Sequence, residues 1–385
     1  MALSMPLAWL QLRKEKIRLF IAMAGVAFAV ILVFMQLGFR NAMLESAVRY
    51  HKQLRYDLAM ISPKTQFVGL TQSFSRRRLH QALAAEEVES VSAMYLEQGS
   101  WKNPWEHNTR PILVVGIDPS DRAFALPEVE RELSTLQLPD VALFDADSRP
   151  EFGPVAARFA QDGVVEAELN DRRVTVRGLF RLGSSFGIDG NLVTSDLNFL
   201  RLFPDRLPGL VDIGLIGLRS GSDLEAVRDR LVAALEKDVR IVTRGEFIDR
   251  EVVYWTTTTP VGFVFGFGAI MGLIVGCVVV YQILFADVSQ HLREYATLKA
   301  MGYSNAELSA VVLQEASILA VLGFVPGLLV ALGLYEFTAE AIRQPLEMTP
   351  ALGALVLLLT LAMCGLSAFV ALRKVRTADP AEVFG

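Results

Sequence analysis

The sequence predicts an α-helical membrane protein with four transmembrane helices and an α+β extracytoplasmic domain. Four uncharged apolar runs lie at residues 19–39, 252–286, 316–335 and 348–372. Each run is long enough to cross a bilayer as a helix, which takes roughly 20 apolar residues. A short polar bridge, residues 287–308, follows the second run, and the long interval after the first run mixes strand and helix patterns.

The first apolar run predicts a membrane span rather than a cleaved signal peptide. It exceeds the roughly 7–15 apolar residues of a signal core, and no small-residue cleavage pattern follows Phe39. Upstream, Trp9 and the basic cluster that ends at Arg18 predict a short amphipathic helix at the membrane surface, because such side chains favour the headgroup level. Downstream, helical spacing continues to Leu54 and predicts a stalk.

The interval between the first two spans predicts one α+β domain. Segments bounded by turn residues predict strands at 56–62, 111–118, 212–218 and 239–243, a hairpin over 163–182 that turns at Asn170 and Asp171, and a helix over 223–235. The last strand-helix-strand unit fits half of a small α+β sandwich. Residues 120–160, rich in Pro, Asp and Glu, predict an insertion or a mobile loop.

Two helical arms are predicted to connect this domain to the membrane. Glu45 and Arg49 on the outgoing arm are four residues apart, and so are Glu246 and Arg250 on the returning arm. This spacing predicts one ion pair within each arm. The arms are expected to stand side by side and to carry motion between the membrane and the domain.

The second and third spans carry residues that predict close packing and a bend. Small residues four apart let helix backbones approach in lipid, which fits packing within the chain as well as a dimer interface. The glycines with this spacing in span two are Gly262, Gly266, Gly268, Gly272 and Gly276. Pro326 predicts a kink in span three. Glu315, at the start of that span, is either functional or simply faces interface water.

The polar bridge predicts a short amphipathic helix, a stop and a newly capped helix. The apolar side chains that recur at helical spacing are Leu292, Tyr295, Ala296, Leu298 and Met301. Gly302 tolerates the left-handed turn that ends a helix. Ser304 and Glu307 form the S-x-x-E pattern of a capping box. On spacing alone, the bridge is either an interfacial helix resting on lipid or a more specific contact surface.

Basic residues near the ends of the spans predict the orientation of the chain. They are concentrated at both termini and in the bridge, which are therefore expected in the cytoplasm, with residues 40–255 outside. These basic residues are Arg13, Lys14, Lys16, Arg18, Arg293, Lys299, Arg373, Lys374 and Arg376. The basic residues just after the first span open a long translocated domain, where the rule is weak. The net charge of −5 gives no indication of nucleic-acid binding.

No motif predicts an active site or a metal centre. Residues 183–187, Gly-Ser-Ser-Phe-Gly, match a nucleophile elbow, but no helix pattern follows. The only later histidine, His291, is expected across the membrane, so a glycine-rich turn is the better interpretation. The other histidines, His51, His80 and His107, lack metal-ligand spacing.

The sequence also lacks the features of a redox or nucleotide-binding protein. Cys277 and Cys364 are the only cysteines, and both fall inside predicted spans, where they are interpreted as small apolar residues. No Gly-Lys dipeptide occurs, so the GxxxxGK[ST] phosphate loop is absent. The chain therefore cannot bind a nucleotide by that route, and the energy for any energised work would come from a separate protein. We expect no cofactor and no enzyme activity in this chain.

The bridge carries a resemblance to a known family. The stretch REYATLKAMGYSNAELSAVVLQEA resembles the R-E-x-x-x-L-[RK]-A-x-G pattern of FtsX/MacB-like ABC transporter permeases, with Gly302 and Glu315 at the matching places. The terminal DPAEVF resembles the ending of that family. The stretches EYATLKAMGY, GLIVGCVVVYQILFADV and GLFRLGSSFGIDGNLVTSD are similar to the cyanobacterial DevC subfamily. The resemblance is weakest between residues 64 and 160, and unlike MacB the chain has no fused nucleotide-binding domain.

The resemblance implies a MacB-like, type VII ABC transporter architecture and a homodimeric permease in the inner membrane. It implies a separate DevA-like ATPase, a periplasmic DevB-like membrane-fusion adaptor and a TolC-like outer-membrane protein. The implied mechanism is mechanotransmission, in which ATP-driven movement of a coupling helix expels an amphiphile such as a glycolipid from the periplasmic side. The residues implied at the ATPase contact are Arg293, Glu294, Tyr295, Leu298, Lys299, Ala300, Met301 and Gly302.

These expectations divide the chain into consecutive segments. They are an amphipathic helix at 1–18, span one at 19–39, a periplasmic domain with stalk arms at 40–255, span two at 256–286, the bridge at 287–308, span three at 309–335, a periplasmic loop at 336–348, span four at 349–372 and a cytoplasmic tail at 373–385. Two alternative functions stay open. One is an FtsX-like signalling scaffold that activates an external partner without moving cargo, and the other is a receptor without an ATPase.

Overall fold

The chain folds into two compact units. The computed structural model describes residues 16–342 and 346–377. Within these residues, the helical unit comprises 16–42, 261–341 and 346–377, and the α+β unit comprises 43–260 and 342. Most of the surface helix predicted at 1–18 and the end of the predicted tail lie outside the described residues.

The α+β unit contains both helices and strands, whereas the described residues of the helical unit form helices. The helices are α1 (Lys16–Lys52), α2 (Arg77–Leu83), α3 (Pro127–Arg131), α4 (Val155–Asp162), α5 (Asp196–Leu202), α6 (Leu224–Ala234), α7 (Arg244–Val253), α8 (Pro260–Gln290), α9 (Leu292–Ala300), α10 (Asn305–Ile342) and α11 (Pro350–Thr377). The strands are β1 (Leu58–Ile61), β2 (Phe74–Ser75), β3 (Val88–Lys102), β4 (Thr109–Ile117), β5 (Val141–Asp145), β6 (Val165–Leu169), β7 (Arg172–Phe180), β8 (Asn191–Ser195), β9 (Leu210–Val211), β10 (Ile213–Leu218) and β11 (Arg240–Thr243).

Four helices in the described part of the chain, α1, α8, α10 and α11, are long and apolar enough to cross a membrane. Together with the mixed α+β unit, they confirm the predicted fold class. In the helical unit, a Cβ added at Gly323 of α10 would lie 2.5 Å from Val26 of α1, and one at Gly327 would lie 2.8 Å from Val30. These two helices therefore approach closely, as small residues allow in lipid. Pro326 lies between the two glycines, and α10 continues through it.

The loop predicted at 336–348 is shorter than expected. α10 continues through Glu336 and Glu340 to Ile342, and it begins at Asn305, several residues before the predicted span. The apolar pattern ends near Tyr335, but glutamate and alanine have high helix propensity and extend a helix beyond its apolar part. Apolar content therefore located the span but not the ends of its helix.

A nine-stranded sheet organises the α+β unit. Its strand order is β11-β1-β10-β3-β4-β8-β5-β7-β6. β3 also pairs with β6 through Trp101 and Leu169, so six of the strands close on themselves. Neighbouring strands are antiparallel, except that β4 with β8 and β5 with β7 are parallel. A second, two-stranded sheet pairs β2 with β9.

The main sheet has a hydrophobic core on each face. In β1, Leu58 and Met60 belong to one core, whereas Ala59 and Ile61 belong to the other. This follows from the strand geometry, because successive side chains point to opposite faces. A strand that is covered on both sides has no polar positions, which is why the sequence of β1 is apolar throughout.

The hairpin predicted over 163–182 is confirmed. β6 and β7 pair antiparallel, and their connection consists of Asn170 and Asp171. Both residues have positive φ angles, 51° and 60°. A two-residue turn with positive φ at both positions matches the right-handed twist of the strands, and asparagine and aspartate tolerate that conformation better than most residues.

The prediction of a mobile loop at 120–160 is wrong. β5 lies inside this segment, pairs with β7 and β8, and is buried along its whole length. The strand is short, and the Pro, Asp and Glu residues on either side dominate the composition of the wider window. Composition averaged over the window therefore concealed a strand at the centre of the closed part of the sheet.

Neither predicted ion pair within the arms forms. Arg49 donates to the backbone carbonyl of Leu182 at 3.0 Å, and Arg250 donates to that of Thr65 at 2.9 Å. Glu246 instead completes a capping box at the start of α7. An exposed pair four residues apart contributes only about 0.2–0.5 kcal/mol, so contacts with the folded domain displace it.

Asp145, at the end of β5, holds the glycine-rich loop that follows β7. Its carboxylate accepts hydrogen bonds from the backbone N–H groups of Leu182 at 3.0 Å and Gly183 at 2.8 Å, and from Asn191 Nδ2 at 2.8 Å. Burial raises the pKa of Asp145, and these hydrogen bonds oppose the rise. The three donors around Asp145 thus require a hydrogen-bond acceptor at this position.

We predict that Asp145→Asn lowers the free energy of unfolding of the α+β unit by about 1–3 kcal/mol, because an amide NH₂ would replace one acceptor oxygen and leave a buried donor unpaired. Chemical denaturation of the full-length protein in detergent measures this change. Asp162→Asn, at an exposed position, is the matched control and is expected to change stability by less than about 0.5 kcal/mol. Equal effects of the two substitutions would contradict the prediction.

Candidate functional site

The bridge consists of α9 and the turns on either side of it. At its end, the Gly302 N–H donates to the Lys299 carbonyl and the Tyr303 N–H donates to the Leu298 carbonyl, both at 3.1 Å. This pair of bonds is a Schellman motif, which requires a left-handed residue just after the helix. Gly302 has a φ of +97°, and a Cβ there would meet nothing within 4 Å. The position therefore needs glycine for its backbone conformation and not for lack of space.

The next helix, α10, begins with reciprocal capping bonds. The Glu307 N–H donates to Ser304 Oγ at 3.3 Å, and the Ser304 N–H donates to Glu307 Oε2 at 2.9 Å. These bonds satisfy backbone donors that have no partner within the first turn of a helix. The Schellman motif and the capping box together set the direction in which the chain leaves α9 and enters α10.

α9 exposes one face and buries the other. The exposed residues of the implied ATPase contact are Arg293, Glu294, Ala300, Met301 and Gly302, whereas Leu298 and Lys299 are half-buried. Met301, an apolar residue at the end of α9, is 64% exposed. The exposed face carries both charges and apolar area, which is the composition of a surface that contacts another protein.

Tyr295 does not belong to this exposed face. The resemblance implied an ATPase contact for it, but only 2% of Tyr295 is exposed, and Ala296 beside it is buried as well. Tyr295 lies close enough to Glu315 and Asp287 for their charges to act on it; burial, together with these charges, raises its pKa. Its aromatic ring anchors α9 from the inside, which motif matching cannot distinguish from an outer contact.

Five polar side chains from four helices form a cluster that we call the polar junction. They are Arg18 of α1, Asp287 of α8, His291 before α9, Tyr295 of α9 and Glu315 of α10. Arg18 Nη1 lies 3.6 Å from Asp287 Oδ1, and His291 Nδ1 lies 3.5 Å from the same oxygen. Only 7% of Asp287 and 1% of Glu315 are exposed. Buried ionisable groups within a helix bundle are costly and mark candidate functional sites.

The sequence indicated only part of the polar junction. Glu315 was singled out with two alternatives, and its burial excludes the one in which it faces interface water. Asp287 was treated as the start of the bridge and not as a buried group. The signal that points to it is its position as the first charged residue after a long apolar run, directly at the end of a span. That signal does not predict that Asp287 pairs with Arg18.

The glycines of α8 lie partly against other helices of the same unit. A Cβ at Gly268 would lie 2.5 Å from Gln36 of α1, and one at Gly276 would lie 2.7 Å from Ala29. Gly272 faces α1 as well, whereas a Cβ at Gly266 would meet nothing within 4 Å. Close packing within the chain therefore accounts for three of these glycines. The side of α8 at Gly266 leaves room for a neighbour.

The two arms meet in the α+β unit through a buried polar contact. His51, at the end of α1, places Nε2 3.2 Å from Glu251 Oε2 on α7, and His51 is fully buried. Glu251 also accepts from the Val68 N–H and from Trp255 Nε1, both at 3.1 Å. The His51 ring packs edge-on against Phe247, with 4.4 Å between centroids. The expectation that the arms stand side by side is thus confirmed.

The remaining chemical motifs form no site. The residues after Gly183-Ser184-Ser185 continue as a loop into β8, where an elbow would require a helix, and His291 belongs to the helical unit. Across the described ranges 16–342 and 346–377, no group of three or more His, Cys, Asp or Glu side chains is arranged to hold a metal ion. Cys277 and Cys364 are both free cysteines in membrane-crossing helices.

Comparison with known proteins relates both units to described families. The model of the MacB-like periplasmic core domain matches residues 19–234, and that of the FtsX-like permease C-terminal matches residues 266–380. A search of curated proteins finds no match.

Two solved structures are similar to part of the chain. The periplasmic region of MacB from Actinobacillus actinomycetemcomitans has 10% sequence identity and a TM-score of 0.35, covering 50% of this chain and 91% of its own. The extracellular domain of the noncanonic ABC-type transporter YknZ from Gram-positive bacteria has 11% identity and a TM-score of 0.31, covering 49% of this chain and 99% of its own.

We predict that Glu251→Ala loosens the contact between the two arms. It would leave the buried Val68 N–H and Trp255 Nε1–H without their acceptor, and a buried donor left unpaired costs about 1–3 kcal/mol. Hydrogen exchange of the full-length protein should show faster exchange of the Val68 amide and of α7. Asp249→Ala, exposed on the same helix, is the control. If these amides exchange at the same rate in Glu251→Ala as in Asp249→Ala, the contacts of Glu251 do not hold the arms together.

Proposed function

This chain belongs to the FtsX/MacB-like ABC permease family, and on that premise we propose that it is the membrane-spanning subunit of an ATP-driven exporter that works by mechanotransmission. The resemblance to FtsX/MacB-like permeases noted in the sequence is thereby confirmed. The closer similarity to DevC-type permeases, the exported cargo and the partner proteins belong to the proposal.

The observation that carries the proposal is the exposed face of α9. Along the chain, α9 lies between the membrane-crossing helices α8 and α10. The Schellman motif at its end and the buried Tyr295 give α9 a defined position. A helix that merely rests on lipid would need an apolar outer face, whereas Arg293, Glu294 and Lys299 interrupt that face with charge. We therefore assign this face to contact with a separate ATPase on the cytoplasmic side.

The chain offers continuous routes from this contact to the α+β unit. α1 is one uninterrupted helix from Lys16 to Lys52, so movement at one end is carried along its length. α8 leads back to the returning arm through a π-helical turn, Tyr254–Thr258, which ends two residues before Pro260. Such turns commonly accompany functional bends in helices. The His51–Glu251 pair makes the two arms respond together.

The proposed work takes place outside the membrane, with both termini in the cytoplasm. Movement of the arms changes the shape of the α+β unit, which expels an amphiphile, such as a glycolipid, from the periplasmic side. The partners are a second copy of this chain, a DevA-like ATPase, a DevB-like membrane-fusion adaptor and a TolC-like outer-membrane protein. The polar junction and the arms can each pack in more than one arrangement. The nucleotide bound to the partner ATPase determines which arrangement is favoured.

Purification of the tagged chain from native membranes tests the proposal. We expect an ATP-hydrolysing subunit and a periplasmic adaptor to co-purify with it. Deletion of the gene should remove a particular amphiphile from the outer surface of the cell. An unchanged outer surface together with loss of activity of an external enzyme would favour the signalling scaffold. Absence of any ATPase from the complex would favour the receptor.

We predict that Gly302→Val lowers stimulation of the partner ATPase by about 5–30-fold. A β-branched residue in the left-handed conformation costs at least roughly 1–2 kcal/mol, and that free energy shifts the position of α9 by such a factor. Gly302→Asn is the matched variant, because asparagine tolerates this conformation, and it should retain most of the stimulation. Normal export by Gly302→Val, expressed and assembled like the wild type, would rule out a coupling role for α9.

A further inference from the structure

An exposed apolar patch lies on the α+β unit beside the π-helical turn. Phe67 stacks on Tyr254 with 4.6 Å between ring centroids, and it meets Trp255 edge-on at 5.4 Å. Phe186 also packs edge-on against Trp255, at 5.5 Å. Leu70 pairs with Phe67 in an isolated β-bridge and is 49% exposed, and Phe186 is 43% exposed. We call these five residues the aromatic patch.

Two tight loops present the exposed side chains of the aromatic patch. The Leu70 N–H donates to the Phe67 carbonyl at 3.0 Å, which closes the first loop. The Ser185 N–H donates to the Ile188 carbonyl at 2.7 Å, so Phe186 lies at the tip of the second loop. Because these backbone bonds hold both loops closed, Leu70 and Phe186 stay at the surface. Contiguous exposed apolar side chains mark a site of contact with a protein or a membrane.

The position of the aromatic patch along the chain favours a membrane. Trp255 lies five residues before Pro260, where α8 begins, and α8 is long and apolar enough to cross a bilayer. Five residues span at most about 18 Å even when fully extended. The exposed apolar surface resumes at Phe263 on α8, which is 69% exposed. The patch therefore lies near the level at which the chain enters the bilayer, where Trp and Tyr side chains are enriched.

The segment that joins the aromatic patch to α8 carries no charge and pairs three of its hydroxyl groups internally. No Asp, Glu, Lys or Arg occurs between residues 252 and 286. The hydroxyls of Thr256, Thr257 and Thr259 each donate to the backbone carbonyl four residues earlier, at 2.7, 2.7 and 2.9 Å. Where water is scarce, polar groups need partners within the protein. The segment thus meets the requirement for a position among lipid headgroups.

The charged residue that precedes this segment is directed into the α+β unit. Glu251 is only 3% exposed, and its carboxylate accepts from Trp255 Nε1 at 3.1 Å. The indole N–H is thereby satisfied inside the unit. Gly187 approaches the same ring closely, since a Cβ there would lie 3.0 Å from it. Trp255 thus forms the buried base of the aromatic patch, on which Phe186 rests.

We propose that the aromatic patch is a membrane-contact surface of the α+β unit, which inserts Leu70 and Phe186 into the boundary between headgroups and acyl chains. The leaflet is the one on the side of the α+β unit. Its occupant is lipid and not another protein, because the patch carries no charged side chain and a short uncharged segment ties it to the start of a membrane span. The contact sets the depth of the returning arm at the bilayer. Any part of this contact in transport rests on the proposed function, whereas the contact itself does not.

Spin labels on the full-length protein in nanodiscs of phosphatidylethanolamine and phosphatidylglycerol test the contact. The labels are attached at Phe186→Cys or Leu70→Cys, in a background with Cys277→Ala and Cys364→Ala. Molecular oxygen concentrates in lipid, whereas a nickel chelate stays in water. We expect each label to collide with oxygen more often than with the chelate. The reverse at either position would overturn the proposal.

Leu138→Cys is the matched control for these labels. Leu138 is 48% exposed, which is close to the exposure of Leu70 and Phe186. It precedes β5, whereas Asp145 at the other end of that strand holds the loop that carries Phe186. A label at position 138 should therefore collide with the chelate more often than with oxygen. Equal collision ratios at positions 138 and 186 would overturn a contact confined to the aromatic patch.

A second measurement keeps the native cysteines. Benzoylphenylalanine placed at position 186 of the full-length chain cross-links under ultraviolet light to whatever lies beside it in native membranes. We expect phospholipid adducts at position 186 and a loss of these adducts when the probe is placed at position 138. Adducts with protein alone at position 186 would overturn the lipid contact and make the patch a protein interface.

A charge at the tip of the second loop tests whether insertion depends on Phe186. Phe186→Asp should abolish the excess of oxygen collisions for a label at Leu70→Cys, because a charged side chain is costly to place in lipid. Phe186→Leu is the matched apolar variant and should keep the excess. An unchanged collision ratio in Phe186→Asp would overturn the insertion of this residue. These measurements need no partner protein, so their failure is distinguishable from failure of the proposed function.

Discussion

Charge is expensive inside a helix bundle that crosses a membrane, and this constraint governs how the helical unit is arranged. Ionisable side chains are tolerated there only when other groups compensate them. In the described part of the chain, Arg18 of α1 compensates Asp287 of α8 at a distance of 3.6 Å, and Glu315 of α10 is buried as well. The glycines of α8 and α10 pack closely against α1. The polar junction adds an ionic contact between α1 and the end of α8, directly before α9.

The α+β unit follows a different rule, because it can bury area on both faces of a sheet. Its strands close through the β3–β6 pairing, and each face carries its own hydrophobic core. Where the arms join this unit, as at the polar junction, a buried ionisable side chain is held by polar partners. Glu251 contacts His51 and also accepts hydrogen bonds from Val68 and Trp255. In both units, a buried ionisable group thus connects stretches that are distant in sequence.

Much of the organisation was predictable from local patterns, and the errors have a common physical cause. The four spans, the β6–β7 hairpin, the helix stop at Gly302 and the cap at Ser304 each depend on a few neighbouring residues. The arm ion pairs failed because Arg49 and Arg250 find backbone carbonyls that are distant in sequence. β5 was missed because its four apolar residues, followed by Asp145, lie within a polar window. Tyr295 was assigned to the outside because it lies within the matched stretch, and a sequence match does not show which way each residue of the stretch faces.

The sequence by itself determined that four helices cross a membrane, that a mixed domain follows the first of them, and that a capped polar bridge joins the second and third. These features follow from apolar length, strand alternation and backbone conformation, all of which act over short distances along the chain. Only the tertiary structure decided that Arg18 meets Asp287, that Glu315 is buried and that Tyr295 supports α9 from within. The local sequence around each of these residues does not predict such contacts, because the packing of whole helices brings the residues together.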